Sequence, residues 1–152
     1  MKVTTDQIKA LREKCGAGVM ECRTALEEVM GDEKKAFEIL KKRGREVAEK
    51  KKERETKQGI IEAYTHGGGK VVAVVELLCE SDFVARNEEF RALAHELAMQ
   101  VAAMAPKNVE ELLEQEYIRD ASRKIADLLT EAVAKIRENI KVGRIARLEL
   151  GE

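Results

Sequence analysis

The fold class of this chain is decided by one stretch, Gly59-Ile60-Ile61-Glu62-Ala63-Tyr64-Thr65-His66-Gly67-Gly68-Gly69-Lys70-Val71-Val72-Ala73-Val74-Val75-Glu76-Leu77-Leu78. Strand-forming residues precede and follow three consecutive glycines, which is the pattern of a β-hairpin with its turn at residues 67–70. The flanking sequence is rich in Ala, Leu, Glu and Lys at helical spacing. The expected fold class is therefore α+β.

Two helices and a third strand are expected after the hairpin. Apolar residues from Phe90 to Met104 mark one face of a long helix that Pro106 ends, and a second apolar stripe predicts a helix over residues 118–140. The last segment alternates and predicts a strand whose Ala146, Leu148 and Leu150 face the core. Together these elements predict a small three-stranded antiparallel sheet packed with helices.

The sequence before the hairpin predicts three short helices separated by Gly16-Ala17-Gly18 and by Gly31-Asp32. The predicted organisation is a three-helix module at residues 1–44, a charged helical linker at residues 45–58, and a core and dimerisation domain at residues 59–152. So small a sheet has open edges, and residues 71–75 are apolar on both faces, so we expect self-association through the sheet.

Composition restricts the class of protein. Of the 152 residues, 38% are charged and 44% hydrophobic. Apolar runs fall short of the roughly 18 to 20 residues that span a bilayer, and the N-terminus lacks the apolar segment of a signal peptide, so a cytoplasmic protein is expected. Three cysteines and two histidines, without metal-ligand spacing, predict neither a metal site nor a cofactor.

Charge is unevenly distributed along the chain. Residues 34–57 contain 11 Lys or Arg and 5 Asp or Glu, whereas residues 76–120 contain 4 and 11. The basic run alternates with glutamates and lacks aromatic residues, which favours ion pairing on a solvated helix over phosphate binding. Direct nucleic-acid binding is not expected and remains the weaker alternative.

Three motifs resemble catalytic or phosphate-binding sites only superficially. The glycines at positions 16 and 18 follow no strand and are followed by Glu21 rather than a third glycine. The glycines before Lys70 form a hairpin turn, and Cys79 has no partner histidine in any local signature. No catalytic residue is predicted.

The segment Ser81-Asp82-Phe83-Val84 has two open interpretations. Ser81 or Asp82 can cap a helix, with Phe83 and Val84 stapling its first turn to the core. Alternatively, an aromatic ring beside a carboxylate at a tight strand-to-helix junction presents a rigid wedge to a partner. Physical reasoning alone weighs the two equally.

Two segments of the chain closely resemble the signature segments of the bacterial elongation factor Ts family. They are Leu11-Arg12-Glu13-Lys14-Cys15-Gly16-Ala17-Gly18-Val19-Met20-Glu21-Cys22-Arg23-Thr24-Ala25-Leu26 and Glu76-Leu77-Leu78-Cys79-Glu80-Ser81-Asp82-Phe83-Val84-Ala85-Arg86-Asn87. The segments at residues 59–66 and 138–144 also resemble the family. Cys15 departs from the threonine usual there and Leu78 from the usual asparagine. Long members carry two core halves, whereas this chain has room for one.

The resemblance implies a ubiquitin-associated-like N-terminal module and a guanine nucleotide exchange factor for elongation factor Tu, without covalent chemistry. It implies that Asp82 and Phe83, completed by Ser81 and Val84, enter the GTPase domain and displace its magnesium ion. It further implies that the N-terminal module grips the same domain through Leu11, Gly16, Ala17, Gly18, Val19 and Met20. Short members pair two chains, so a homodimer is expected.

Other functional classes predict different behaviour. An interaction module alone would bind through residues 1–44 without the core. A nucleic-acid binder would lose affinity steeply with salt through its basic run. Exchange activity is favoured over both, chiefly by the resemblance.

Overall fold

Residues 2–152 are described by a computed structural model, and the first part of them forms three helices, α1 (Thr5–Cys15), α2 (Val19–Glu28) and α3 (Glu33–Lys51). Thr4 caps α1 through a reciprocal capping box with Gln7, and Asp32 caps α3. The three helices enclose a small core of their own, formed by Leu11, Cys22, Ala25, Leu26, Ala36 and Leu40. The three-helix prediction is confirmed, and its likeness to a ubiquitin-associated domain stays a prediction.

Helix α3 continues past Gly44 and packs against α7 (Ile125–Ile136). A Cβ atom on Gly44 would lie 3.2 Å from the Cβ atom of Ala134, so the absence of a side chain lets the two helices approach closely. Ala48, further along α3, packs against the core of the second half of the chain. The division into module, linker and core at residues 44 and 58 stays a prediction.

A buried asparagine fixes the connection that follows α3. Asn139 is 3% exposed, and its side-chain amide donates to the carbonyls of Lys52 and Arg54 at 3.2 and 2.7 Å. These two hydrogen bonds hold the chain between α3 and the first strand against the core.

We expect Asn139→Ala to lower the free energy of unfolding by about 1 to 2 kcal/mol, because two carbonyls lose their buried donor. Chemical denaturation measures that change, and limited trypsin digestion should show faster cleavage at Lys52 and Arg54. The matched control is Asn108→Ala, which removes the cap of the short helix α6 (Val109–Glu114) instead of the anchor of residues 52–54. Trypsin should therefore cleave this control at Lys52 and Arg54 at the wild-type rate. Equal trypsin resistance of wild type and Asn139→Ala would contradict the anchoring role.

The sheet contains β1 (Gln58–His66), β2 (Val71–Cys79) and β5 (Lys141–Glu149), antiparallel in the order β1-β2-β5. Gly67, Gly68 and Gly69 have φ values of 60°, 69° and 94° in the turn, a conformation that side chains disfavour. The predicted hairpin, third strand and α+β class are confirmed. Helix α5 (Glu88–Met104), capped by Asn87, covers one face of the sheet with Phe90 and Leu97 fully buried.

The predicted facing of β5 is wrong. Leu148 and Leu150 are 77% and 78% exposed, and Ala146 is also exposed. The register pairs the buried Val75 with Ile145 and the buried Ala73 with Arg147, so these two partners share the core face. The strand alternates as predicted, but the residues predicted to face the core face solvent, and their neighbours face the core.

The predicted helix at residues 118–140 is shorter than expected. Residues before α7 form a hairpin of β3 (Glu116–Tyr117) and β4 (Asp120–Lys124). The fully buried Gln100 fixes this hairpin by donating to the Glu116 carbonyl and accepting from the Ile118 amide, both at 3.0 Å.

In residues 2–152, the helices are all too short or too polar to cross a bilayer.

Candidate partner-binding site

A one-turn helix, α4 (Asp82–Ala85), follows β2 after two connecting residues, Glu80 and Ser81. Ser81 caps it, because its hydroxyl oxygen accepts a hydrogen bond from the Val84 amide at 3.3 Å. Ala85 is 7% exposed and Val84 is half-buried, and both pack in the core. These contacts fix the back of α4.

Phe83 points away from this anchored side and is 80% exposed. In the stapling interpretation its ring would be buried, as the ring of Phe90 is at 0% exposure. The staple is therefore supplied by Val84 and Ala85, and Phe83 is free for another contact. A phenyl ring held open to solvent on an anchored turn is suited to burial against a partner.

Asp82 and Arg86 flank the Phe83 ring. The Arg86 Nη2 atom lies 2.6 Å from Asp82 Oδ2, and the guanidinium carbon lies 6.0 Å from the ring centroid. Such exposed ion pairs and distant cation–π contacts contribute little stability.

Glu138, which is distant in the sequence, accepts hydrogen bonds at the start of the segment at residues 81–84. Its Oε1 atom accepts from the amides of Glu80 and Ser81 at 3.1 and 2.9 Å, and its Oε2 accepts from the Ser81 hydroxyl at 2.6 Å. Carboxylate acceptors make stronger hydrogen bonds than neutral ones. The sequence interpretation included Glu138 in a family-like segment and gave it no role.

Cys79 lies behind the same junction and is fully buried. Its thiol donates to the Ser81 carbonyl at 3.1 Å. Burial, with a smaller effect from the negative Glu138, raises the pKa of Cys79 to about 11. Because the thiol is protonated and inaccessible at neutral pH, the geometry favours a structural thiol over a nucleophile.

The second predicted segment is the turn between α1 and α2. Gly16 ends α1 with φ of 68°, and the Gly18 amide donates to Glu21 Oε2 at 3.0 Å. Val19 and Met20 are 48% and 65% exposed, Gly18 is exposed, and Gly16 and Ala17 are half-buried. Leu11 is fully buried in the module core, so its side chain supports the turn from beneath.

The C-terminal end of α7 connects the two segments. Arg137 forms a 2.9 Å ion pair with Glu21 of α2, and the next residue, Glu138, holds Ser81. Lys135 forms a 3.2 Å ion pair with Glu89 at the start of α5, and its side chain also lies beside Gly16. The structure therefore brings the turn at residues 16–20 and the segment at residues 81–84 to the same end of one helix.

A cavity of about 340 Å³ lies between the N-terminal helices and α7, beside the place where α3 and α7 are in contact. Its lining includes Cys15, Gly16, Ala17, Gly44 and Lys135. The cavity reaches the turn at residues 16–20 from the inside.

Comparison of the sequence with known proteins identifies relatives of this chain. A family model described as "Elongation factor TS" matches residues 80–152. That range includes the segment at residues 81–84 and the Glu138 that holds it.

Relatives named "Elongation factor Ts" match the whole chain. The protein of Thermotoga neapolitana is 43% identical, covering 100% of this chain and 99% of the relative. The proteins of Thermotoga maritima and Carboxydothermus hydrogenoformans are 42% and 39% identical, covering 100% and 99% of this chain and 98% and 90% of the relatives. The first alignment spans 195 positions against the 152 residues of this chain, so about 43 of those positions fall opposite gaps in it.

Proposed function

The chain belongs to the elongation factor Ts family, and on this premise we propose that it is a guanine nucleotide exchange factor for elongation factor Tu. Family membership supports the exchange role itself. The proposal adds the mechanism: the Asp82-Phe83 segment enters the GTPase domain of the partner and promotes GDP release by displacing the magnesium ion there. The role requires no covalent chemistry, cofactor or metal site in this chain, and it belongs in the cytoplasm.

The observation that carries the proposal is the exposure of Phe83, 80%, on a turn whose other side is anchored. An exposed ring on a flexible loop would lose conformational entropy on binding, whereas this ring sits on a turn fixed by Ser81, Val84 and Glu138. Burying it in a partner therefore yields binding free energy at a low ordering cost.

The N-terminal module provides the second proposed contact. Val19 and Met20 are exposed beside Gly18, and Arg137 and Glu138 tie that region and the Phe83 segment to the same end of α7. The turn at residues 16–20 and the Phe83 segment, held at the same end of α7, can bind one partner domain together. The module then supplies affinity while the Phe83 segment distorts the nucleotide site.

Linkage sets the thermodynamic requirement of this mechanism. A GTPase holds its nucleotide largely through phosphate and magnesium contacts, and distorting them raises the rate of GDP release. If the factor weakens GDP binding by a given ratio, GDP weakens binding of the factor by the same ratio. The tight complex must therefore be the nucleotide-free one.

The direct test measures release of a fluorescent GDP analogue from purified elongation factor Tu with and without this protein. Acceleration by wild type that is lost in Asp82→Ala and Phe83→Ala supports the proposal. Failure of the folded wild type to accelerate release, over a concentration series reaching saturation of binding, would overturn the exchange role.

The open face of the sheet is the proposed dimer surface. Opposite α5, the three strands present Ile61 on β1, Val72 and Val74 on β2, and Ala146 and Leu148 on β5. Ile61 and Leu148 are 65% and 77% exposed. Glu76 and Arg144 form an ion pair on the same face beside Ile61, and the apolar patch of Val72, Val74, Ala146 and Leu148 lies next to them. Because this patch is apolar and open to solvent at Leu148, we propose that a second copy of this chain covers it.

We expect Leu148→Glu to convert the dimer into a monomer, because a carboxylate would be buried against an apolar face. Light scattering coupled to size-exclusion chromatography measures the mass. The matched control, Ile118→Glu, places the same charge on another exposed apolar residue, 44% exposed in the turn between β3 and β4. A wild type that stays monomeric at the concentrations used would contradict the dimer.

A further inference from the structure

Two of the three cysteines lie against each other in the N-terminal module. Cys15 is the last residue of α1, Cys22 lies in the first half of α2, and their sulfur atoms are 3.8 Å apart. Both sulfurs also face the connecting turn: the Ala17 amide donates to Cys15 Sγ at 3.4 Å, and Cys22 Sγ approaches the Ala17 carbonyl at 3.8 Å. The two sulfurs therefore contact the turn at residues 16–18.

The two thiols differ in access. Cys15 is half-buried and lines the cavity of about 340 Å³ between the module and α7. Cys22 is fully buried. A small oxidant such as hydrogen peroxide can therefore reach Cys15 first and leave Cys22 to react with the product.

We propose that Cys15 and Cys22 form a reversible intramolecular disulfide when the protein is exposed to hydrogen peroxide, with Cys15 as the attacking thiol and Cys22 as the resolving thiol. The departure at position 15, a cysteine where the family resemblance leads one to expect threonine, creates the pair. Redox-sensing cysteines are often accessible and adjacent to a resolving cysteine, and this pair shares that spatial arrangement.

The chemistry balances with peroxide as the oxidant. The Cys15 sulfur, as thiolate, attacks one peroxide oxygen; the O–O bond breaks, giving a sulfenic acid and hydroxide, which takes up the thiol proton as water. The Cys22 sulfur then attacks the Cys15 sulfur, the S–O bond breaks, and the departing hydroxide combines with the Cys22 proton as water. Two thiols are oxidised to one disulfide and one peroxide is reduced to two waters. Burial, with a further effect of Cys15, raises the pKa of Cys22 to about 12, so Cys22 is a thiol before the second step and loses its proton to the departing hydroxide as the S–S bond forms.

Formation of the bond shortens the distance between the sulfurs from 3.8 Å to about 2.05 Å. The two sulfurs must approach by roughly 1.8 Å across residues 16–18, through rotation of the side chains or movement of the turn. If the proposed function holds, this is the turn that contacts the partner, and the disulfide regulates exchange.

Peptide mass spectrometry tests the bond directly. Trypsin cuts after Lys14 and Arg23, so one peptide, Cys15-Gly16-Ala17-Gly18-Val19-Met20-Glu21-Cys22-Arg23, contains both thiols, while Cys79 lies in another. After peroxide treatment of the folded protein and alkylation of free thiols, this peptide should appear unalkylated and lighter by two hydrogens. Dithiothreitol should restore it. Oxidation of the exposed Met20 adds an oxygen and is distinguished by mass.

Cys79 and two variants provide the controls. The Cys15–Cys22 thiols should be lost at least about tenfold faster than the buried Cys79. In Cys22→Ser, Cys15 should stop at a sulfenic acid that dimedone traps. In Cys15→Ser, Cys22 should remain a free thiol. A wild-type peptide that keeps two alkylated thiols, or that gains oxygens at Cys15 without losing two hydrogens, would overturn the proposal.

The functional consequence has a separate outcome. Peroxide should change the rate of catalysed GDP release by wild type and leave that of Cys15→Ser unaltered. A disulfide that forms without changing exchange would overturn the regulatory consequence alone. Loss of activity already present in the reduced protein would instead count against the proposed function.

Discussion

Phe83→Ala is expected to slow catalysed GDP release at least about tenfold, equivalent to ~1.4 kcal/mol, as truncation of an interface hot spot does. The ring is 80% exposed in the free protein, so its removal should leave the free energy of unfolding nearly unchanged. Stopped-flow release of a fluorescent GDP analogue measures the rate, and chemical denaturation measures the stability.

The matched control is Met30→Ala. Met30 is 79% exposed in the turn between α2 and α3, so it removes a comparably exposed apolar side chain from a different surface. Met30→Ala should exchange nucleotide at the wild-type rate. A folded Phe83→Ala that does so as well would show that the ring is not the wedge.

Linkage provides a second measurement on the same variant. If Phe83 acts on the nucleotide site, the variant should bind nucleotide-free elongation factor Tu more weakly, while its binding to the GDP form changes less. Equal weakening of both complexes would indicate that Phe83 supplies general affinity rather than distortion.

The sequence predicted the strands of the sheet correctly, but it did not predict which side chains of β5 face the core. Runs of β-branched residues around three glycines have few alternatives to a hairpin, and the structure has that hairpin. In β5, however, both phases of the alternation carry apolar residues: Ile145 on one, and Val142, Ala146 and Leu148 on the other. The choice between them depends on pairing with β2, whose register shifts between Val75 and Leu77. Local sequence does not contain that information.

The hairpin of β3 and β4 was missed for a similar reason. Residues 118–124 lack the apolar stripe that follows them, and their structure is fixed by the buried amide of Gln100, on another helix. The position of Gln100 within an apolar helix face is only a weak indication that its side chain forms hydrogen bonds in the core.

The candidate site was only partly accessible to sequence reasoning. Ser81 as a cap followed from residue type and position, and the cap is present. Whether Phe83 staples the helix or stands free depends on which side of a single turn faces the sheet, and the structure exposes it. Glu138 was missed as an anchor because it contacts a segment 57 residues away in the chain, which no local pattern reveals.

Glu138→Ala should affect both stability and exchange. Two backbone amides and the Ser81 hydroxyl lose a carboxylate acceptor at a half-buried junction, which should lower the free energy of unfolding by about 2 kcal/mol. Because the start of α4 is then no longer held, we expect exchange to slow at least as much as in Phe83→Ala, about tenfold. Denaturation and GDP release, measured where the variant is still folded, provide the two values.

Glu138→Gln separates positioning from general destabilisation, because its amide oxygen still accepts hydrogen bonds while the charge is lost. It should recover part of the stability and part of the exchange rate. Glu38→Ala, on the exposed surface of α3, removes a carboxylate elsewhere and should leave both unchanged. A double-mutant cycle with Ser81→Ala should give a coupling energy, since the two side chains share a hydrogen bond. If Glu138→Ala lost stability but retained wild-type exchange, the Phe83 segment would be held by the Ser81 cap and Val84 packing alone, and the carboxylate would be an anchor of the fold rather than of the site.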